Sequence, residues 1–391
     1  MTEVKSRLTP ILERIEAESL EAARQRERRA FAEFAAQYQD RLILFGASHL
    51  GRHVLHGLEQ AGIRPIAFAD NNQQLWGTEV EGIPVLSPSL ASNRYGDSAC
   101  FVVTIYNGSP VRRQLRDLGC KHVAPFAPLF WKYSDILTPN HGIDLPHKLR
   151  EFKDEILACY EILANEQSQA ELSGQIQWRY WLDYDSLPPS LHPAETYFPT
   201  DLITPAEDEV FVDCGSFQGD TLPAFVAHWS NKFKHIFAVE PDPENRAALL
   251  STKDALELTD RVTVIPCAVG DRTGQVSFSL TGTMASRINE AGQCSVECRK
   301  LDDISWEFDP TYIKMDIEAA EPQALRGAVN LLQKHHPILA ICTYHRSEHL
   351  WQIPNLIHSI APEYKLFLRR YAEECWEGVC YAIPEHRLKR T

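Results

Sequence analysis

The stretch Val212-Asp213-Cys214-Gly215-Ser216-Phe217-Gln218-Gly219-Asp220-Thr221 sets two glycines four positions apart behind an apolar run, with a carboxylate on either side of them. Such glycines let the backbone turn sharply from a strand into a helix whose positive end ordinarily holds a phosphate. Here Asp213 and Asp220 would repel a diphosphate and welcome a cation. Glu240 closes the next apolar run 21 residues after Gly219, near the roughly 20-residue interval at which an acid reaches ribose hydroxyls in nucleotide folds. The ligand this set fits carries a ribose and a positive charge but no phosphate, and S-adenosylmethionine meets all three conditions. The residues expected to line it are Asp213, Gly215, Ser216, Gly219, Asp220, Thr221, Glu240, Pro241 and Asp242. Cys267 and Ala268, small residues ending a third run, are expected beside the adenine. Helix capping is the competing account of the aspartates, and it leaves the strand-terminal Asp213 unexplained.

Methyl transfer from a sulfonium is an in-line displacement, so the protein must align the acceptor and remove its proton. Candidate groups should stand at the carboxyl ends of central strands, where open α/β folds place their ligands. Asp316 and Glu318 follow TYIKMDI, with Glu321 and Pro322 opening the next helix; His345 and Arg346 follow HPILAICTY. Asp316 is expected to position the cofactor methyl or the acceptor, with Glu318 beside it. His345 is expected to act as base, since an imidazole titrates near neutrality. The alternatives are a helix N-terminus favoured by Glu318 and Glu321, and a purely structural histidine. Asp316, Glu318 and His345 also make a donor set for a divalent metal that would lower the pKa of an acceptor hydroxyl, though the metal-free mechanism is the expected one. Lys314, inside the preceding strand, is placed to pair with one of the acids.

A second glycine turn, GASHLG, spans Gly46 to Gly51, and Asp70 follows Gly51 by 19 residues. No acid there repels phosphate, and Asp70 is spaced to grip a ribose. The middle glycine that lets a pyrophosphate close in is Ser48, so an empty structural module is an equal reading beside a nucleotide or nucleotide-sugar site.

The elements around these residues alternate. Residues 4–38 place apolar side chains at three- and four-residue steps, giving an amphipathic helix or a broken pair that serves packing or dimerisation, which keeps a homodimer open. A helical arm over 1–40, a Rossmann-like accessory domain over 41–130, a helical and proline-rich linker over 131–205 and a catalytic domain over 206–391 are expected. The last of these reads as five parallel strands, a β-insertion at GQVSFSL and CSVECRKLDDI, and a closing antiparallel hairpin at YKLFLRRY and WEGVCYAIPE. The fold class is therefore α/β: a doubly wound class I methyltransferase sheet with an antiparallel terminal hairpin, preceded by a smaller Rossmann-like α/β domain and helical segments.

Composition narrows the partners. With 53 acidic against 39 basic residues the formal charge is −14, which disfavours nucleic acid. The ten cysteines lack the paired spacing of a zinc site, so no metal site is expected from them, and free core thiols suit the cytoplasm. No segment reaches the roughly 18 apolar residues of a membrane span, so no membrane partner is expected.

VDCGSFQGDT, AVEPDPEN, GTMASRI and YIKMDIEAAEPQALRGA, with the closing LRRY and VCYAIPEHR, resemble the FkbM family of S-adenosylmethionine-dependent methyltransferases over about residues 206–391. The resemblance implies O-methylation of a hydroxyl on a sugar, glycan or polyketide-like metabolite, a small-molecule or glycan acceptor. Where that family reads D-x-E-G-x-E, this chain has Asp316-Ile317-Glu318-Ala319-Ala320-Glu321. Alanine tolerates a positive φ poorly, so the backbone at Ala319 is expected to depart from its relatives. AFADNN and GIPVLSP are more loosely similar to nucleotide-sugar-binding domains of sugar-modifying enzymes. The rival functions are a nicotinamide-dependent sugar-nucleotide oxidoreductase centred on Gly46 to Asp70, and a non-catalytic nucleotide-binding scaffold.

Overall fold

A computed structural model describes residues 6–279, 287–288 and 294–389, so most of GTMASRI lies outside the described residues. The chain forms two compact units. The first gathers Met1–Lys153, Ser173–Leu187 and Ala372–Trp376; the second gathers Asp154–Leu172, Pro188–Tyr371 and Glu377–Thr391. These divisions differ from the expected borders at 40, 130 and 205. The arm joins the first unit because its apolar stripe is consumed there: Ala30, Phe31 and Ala35 are buried in the same cluster as Leu42, Leu44 and Trp178. Residues 131–205 are divided between the units rather than forming a linker, for the same reason. The arm is a broken pair, Thr9–Ala17 and Leu20–Ala35, and the hydroxyl of Ser19 accepts from the Ala22 amide at 3.1 Å to start the second helix.

In the first unit β1 (Leu42–Phe45), β2 (Ala67–Ala69), β3 (Glu79–Val80), β4 (Ile83–Leu86), β5 (Cys100–Val103) and β6 (His122–Pro125) form one sheet in the order β3-β4-β2-β1-β5-β6. Every pairing is parallel except that of β3 with β4. All four residues of β1 and of β5 are buried, as a parallel sheet covered on both faces demands.

In the second unit β7 (Val210–Cys214), β8 (His235–Val239) and β9 (Val262–Ile265) lead into β10 (Ala268–Val269), β11 (Gly274–Ser279), β12 (Arg287–Ile288) and β13 (Cys294–Arg299). Then follow β14 (Tyr312–Met315), β15 (Ile338–Cys342), β16 (Lys365–Arg370) and β17 (Gly378–Ile383). Seven strands form the main sheet in the order β16-β17-β15-β14-β7-β8-β9. The strands from β15 to β9 run parallel, while β17 enters antiparallel between β15 and β16. That is the doubly wound sheet with a reversed last strand. The insertion makes its own sheet, β10-β13-β11-β12.

The helix Thr221–His228 is held on this sheet by aromatic packing. Phe225 stacks on Phe211 of β7 with centroids 4.5 Å apart, which contributes about 1 kcal/mol beyond its buried area. The glycine turn between them is thereby clamped at both ends. Among the described residues no helix is long and apolar enough to cross a membrane. Nine of the ten cysteines are buried, Cys294 is exposed, and all are free thiols.

Candidate active site

Gly215 and Gly219 adopt φ of 77° and 81°, and Phe217 between them adopts 48°. A Cβ on Gly215 would lie 2.0 Å from the carbonyl oxygen of Asp316, so the glycine is required by the close passage of the chain leaving β14. Its amide donates to the carbonyl of Val239 at 3.0 Å, which ties the turn to β8.

The structure gives the acids of this turn different tasks. Asp213 is fully buried and faces Lys314 across the β7–β14 register, with an N–O distance of 3.0 Å. Lys314 also donates to the carbonyl of Gly215 at 2.9 Å. Burial pushes the Asp213 carboxyl up to about 6 while Lys314 pulls it down; the ammonium itself is held cationic, against burial, by Asp213 and Asp316. Asp213 therefore anchors the sheet beneath the turn. Ser216 is buried and its hydroxyl donates to the Asp213 carbonyl at 2.7 Å. Thr221 is buried in the first turn of its helix, and Asp242 caps the helix Pro243–Ala255 by accepting from Glu244 and Asn245.

Asp220, by contrast, is exposed and makes no side-chain cap at the helix it precedes. Glu240 is 5 % exposed and accepts from the Phe217 and Asp242 amides, both at 2.9 Å. Burial raises its carboxyl to about 7 despite those two bonds. Pro241 follows it, and Cys267 and Ala268 are buried where the main sheet gives way to the insertion.

Four charged groups meet where β14 and β15 end. His345 is buried with the Glu321 carboxylate 2.8 Å from Nδ1 and the Asp316 carboxylate 3.1 Å from Nε2. Glu318 lies 3.8 Å from the same Nε2. Glu321, fully buried, also accepts from the Ile317 amide at 2.9 Å. Asp316 accepts from the Tyr197 hydroxyl at 2.8 Å and the Tyr344 hydroxyl at 3.3 Å. Burial works against ionisation here, but the charges outweigh it: Asp316 is held well below the carboxylate range by His345 and Lys314, and His345 well above the imidazole range by Glu321 and Asp316. Carboxylates near both ring nitrogens favour the protonated ring, so His345, expected as the base, also links Glu321 with Asp316.

Glu318 and Ala319 adopt φ of 53° and 79°. Ala319 thus occupies a left-handed conformation that a side chain with a Cβ tolerates poorly. Ala319→Gly is expected to stabilise the protein by about 1 kcal/mol, read from denaturant unfolding.

Three groups at this place had no signal in the sequence. Tyr197 lies in the stretch read as linker, and Tyr344 reads as one more strand-end aromatic. Glu377, at φ 52°, has its carboxyl raised to about 7, first by burial and then by the charge of Asp316.

In the first unit the two oxygens of Asp70 accept from the Ala47 and Asn72 amides, each at 2.8 Å. Gly46 passes the carbonyl of Thr104 so closely that a Cβ would lie 2.9 Å from it, and a Cβ on Gly51 would lie 1.8 Å from the Gly46 carbonyl. Ser48 starts the helix His49–Gln60 without a side-chain cap. The glycines thus serve close packing and Asp70 ties the turn. At the end of β5, the Ser109 amide at the head of the helix Ser109–Asp117 donates to Glu373 at 3.0 Å. The chain's own carboxylate takes that helix end.

No curated protein sequence matches the chain. Among solved structures it is similar to a methyltransferase FkbM from Methylobacillus flagellatus KT, with TM-score 0.76 and 23% identity over 96% of this chain and 99% of that one. That likeness establishes the fold. The precorrin-6y C5,15-methyltransferase of Geobacter metallireducens GS-15 aligns with TM-score 0.30 and 13% identity over 49% of this chain and 86% of its own. An SAH-bound Podospora anserina methyltransferase aligns with TM-score 0.27 and 13% identity over 45% and 72%. The family model of the methyltransferase FkbM domain matches residues 213–375. With the doubly wound sheet and the glycine turn in place, this segment is similar to the methyltransferase FkbM domain family.

Proposed function

We propose that the protein is an S-adenosylmethionine-dependent O-methyltransferase acting on a hydroxyl of a sugar, glycan or polyketide-like metabolite. The observation that carries this reading is the exposed, uncapping Asp220 on the glycine turn together with the buried Glu240, whose carboxylate accepts from the Phe217 amide of that turn. Carboxylates at that position suit a cationic, ribose-bearing ligand and oppose a diphosphate. The fit is with S-adenosylmethionine, which supplies an electrophilic methyl on a sulfonium when bound. Glu240 would hold the ribose hydroxyls and Asp220 the positive end. Asp316, kept anionic and a quarter exposed, positions the acceptor. Glu377, whose carboxyl is raised to about 7 by burial and the charge of Asp316, is a second candidate proton acceptor beside the expected His345.

The pH dependence has a defined sign. Ribose hydroxyls donate to an ionised Glu240, so the ligand competes with the proton that this carboxyl holds below about 7. Affinity for S-adenosylhomocysteine is expected to fall about tenfold from roughly pH 8 to roughly pH 6, and Glu240→Gln to bind weakly without that slope. Calorimetric titration at several pH values measures both. Absence of binding at any pH, with the fold intact by circular dichroism, would refute the reading.

A further inference from the structure

We propose that the ring of Phe217 forms an apolar wall of the adenosyl-cofactor site and sets part of the ligand's affinity; the identity of the ligand rests on the methyl-transfer reading. The Gly219 amide donates to the Ser216 carbonyl at 2.8 Å, which makes Phe217 and Gln218 the central pair of a β-turn. Phe217, the first of the pair, adopts φ of 48°. Turns with a positive φ at that position are dominated by glycine, asparagine and aspartate, and a bulky side chain there is an outlier.

Backbone bonds hold the turn in this conformation. The Phe217 amide donates to Oε2 of Glu240 at 2.9 Å, the Gln218 carbonyl accepts from the Thr252 hydroxyl at 2.8 Å, and the Ser216 hydroxyl donates to the Asp213 carbonyl at 2.7 Å. A glycine at 217 would keep the amide bond to Glu240 and lower the cost of the positive φ. What phenylalanine adds is its side chain.

That side chain is half-buried, whereas Phe211 before it and Phe225 after it are fully buried. Among the described residues the Phe217 ring meets no other aromatic ring and no cation. Tyr197 also holds a positive φ, of 70°, but the protein uses its ring: the hydroxyl donates to Asp316, and the Lys314 ammonium lies 5.1 Å over the ring centroid. Phe217 bears the same conformational cost without such a contact. Costs of this kind persist where binding or catalysis needs them. Phe217 stands between Gly215 and Gly219, just ahead of Asp220, with its amide on the carboxylate that would hold the ribose. An apolar ring on that turn, packed on an adenosyl group, takes surface of both out of water.

The test compares the full wild-type chain with Phe217→Ala, which removes the ring and keeps the φ cost, and with Phe217→Gly, which removes both. S-adenosylhomocysteine is titrated calorimetrically, and unfolding is followed in urea. Both variants are expected to bind about tenfold more weakly, the change that burying roughly half of a phenylalanine side chain supplies. Phe217→Gly should show the higher urea midpoint of the two. Phe217→Leu, which keeps apolar bulk, should bind within about threefold of wild type. A ring that serves only packing gives the opposite pattern, with lowered midpoints for Phe217→Ala and Phe217→Gly and unchanged affinity in the folded protein, and that result overturns the proposal. A loss of affinity confined to Phe217→Gly also overturns it, since a loosened backbone then accounts for the effect. If the wild type binds and Phe217→Ala binds equally well, only the role of the ring falls. A folded wild-type chain that binds no S-adenosylhomocysteine removes the methyl-transfer reading, and the role of the ring with it.

Discussion

Gly215→Ala is expected to destabilise the second unit by roughly 3 kcal/mol and to weaken S-adenosylhomocysteine binding by more than about tenfold. About 1–2 kcal/mol comes from forcing a non-glycine residue to the left-handed φ of 77°. A further 1–3 kcal/mol, roughly, comes from the new Cβ, which would stand 2.0 Å from the carbonyl oxygen of Asp316. Backbone cannot swing aside as a side chain can. If the glycine turn yields, it pulls against the Gly215 amide bond to Val239 and the Glu240 bond to Phe217. If the Asp316 peptide yields, its carboxylate is drawn off Tyr197 and Tyr344. Either route damages the site. Two comparisons isolate the clash. Gly62→Ala meets nothing within 4 Å at φ 78°, so it carries the conformational cost alone. At Gly219 a Cβ would meet side chains of Leu249 and Thr252 at 2.9 and 3.2 Å, which can shift, so Gly219→Ala should fall between the other two. Denaturant unfolding and ligand titration on the three variants provide the check, and a Gly215→Ala cost no larger than that of Gly62→Ala would show that β14 does not pass where it is drawn.

What the sequence disclosed followed from periodicity and local spacing. The apolar runs and the glycines between them located β7, β8 and β14, because a strand covered on both faces must be apolar almost throughout. Spacing also brought Glu240 to the glycine turn, yet not its manner of acting: its carboxylate holds the Phe217 amide of the turn and the Asp242 amide after β8, and Asp70 likewise holds the Ala47 amide of the first unit's turn. An acid at the end of a second strand lies within reach of the turn before any ligand arrives. Lys314 was legible as a partner of an acid, but the choice of Asp213 over Asp316 is made by strand register, which the sequence does not print. Tyr197 reaches Asp316 across 119 positions, and Glu321 reaches His345 across 24. Contacts of that kind depend on chain path rather than on pattern. The same holds for Ala372–Trp376, which reads as a turn between two strands and belongs to the first unit.

That short segment carries the other large expected effect. Glu374→Ala should cost the first unit about 3–5 kcal/mol, because it strands Arg112. The two side chains are 8% and 2% exposed and meet at 2.7 Å, with the guanidinium also 5.0 Å over the ring of Tyr184. Around them Trp376 stacks on Phe126 at 5.8 Å and meets Tyr106 edge-on at 4.6 Å, so little water reaches an unpaired charge. Burial raises the Glu374 carboxyl even though Arg112 lowers it, so desolvation exceeds what the pairing returns. An acid raised in the folded state makes stability fall as pH climbs from its unfolded value of about 4.5 toward the folded one. The pair is therefore worth little as a pair, and the cost lies in breaking one half. Replacing both halves by apolar residues, Arg112→Met with Glu374→Leu, is expected to come within about 1 kcal/mol of the natural protein, while either single change is severe. Unfolding curves for the two single variants and the double variant supply the coupling energy. If Glu374→Ala alone costs under about 1 kcal/mol, the segment Ala372–Trp376 is not held in the first unit by this pair, and its aromatic contacts must do so unaided.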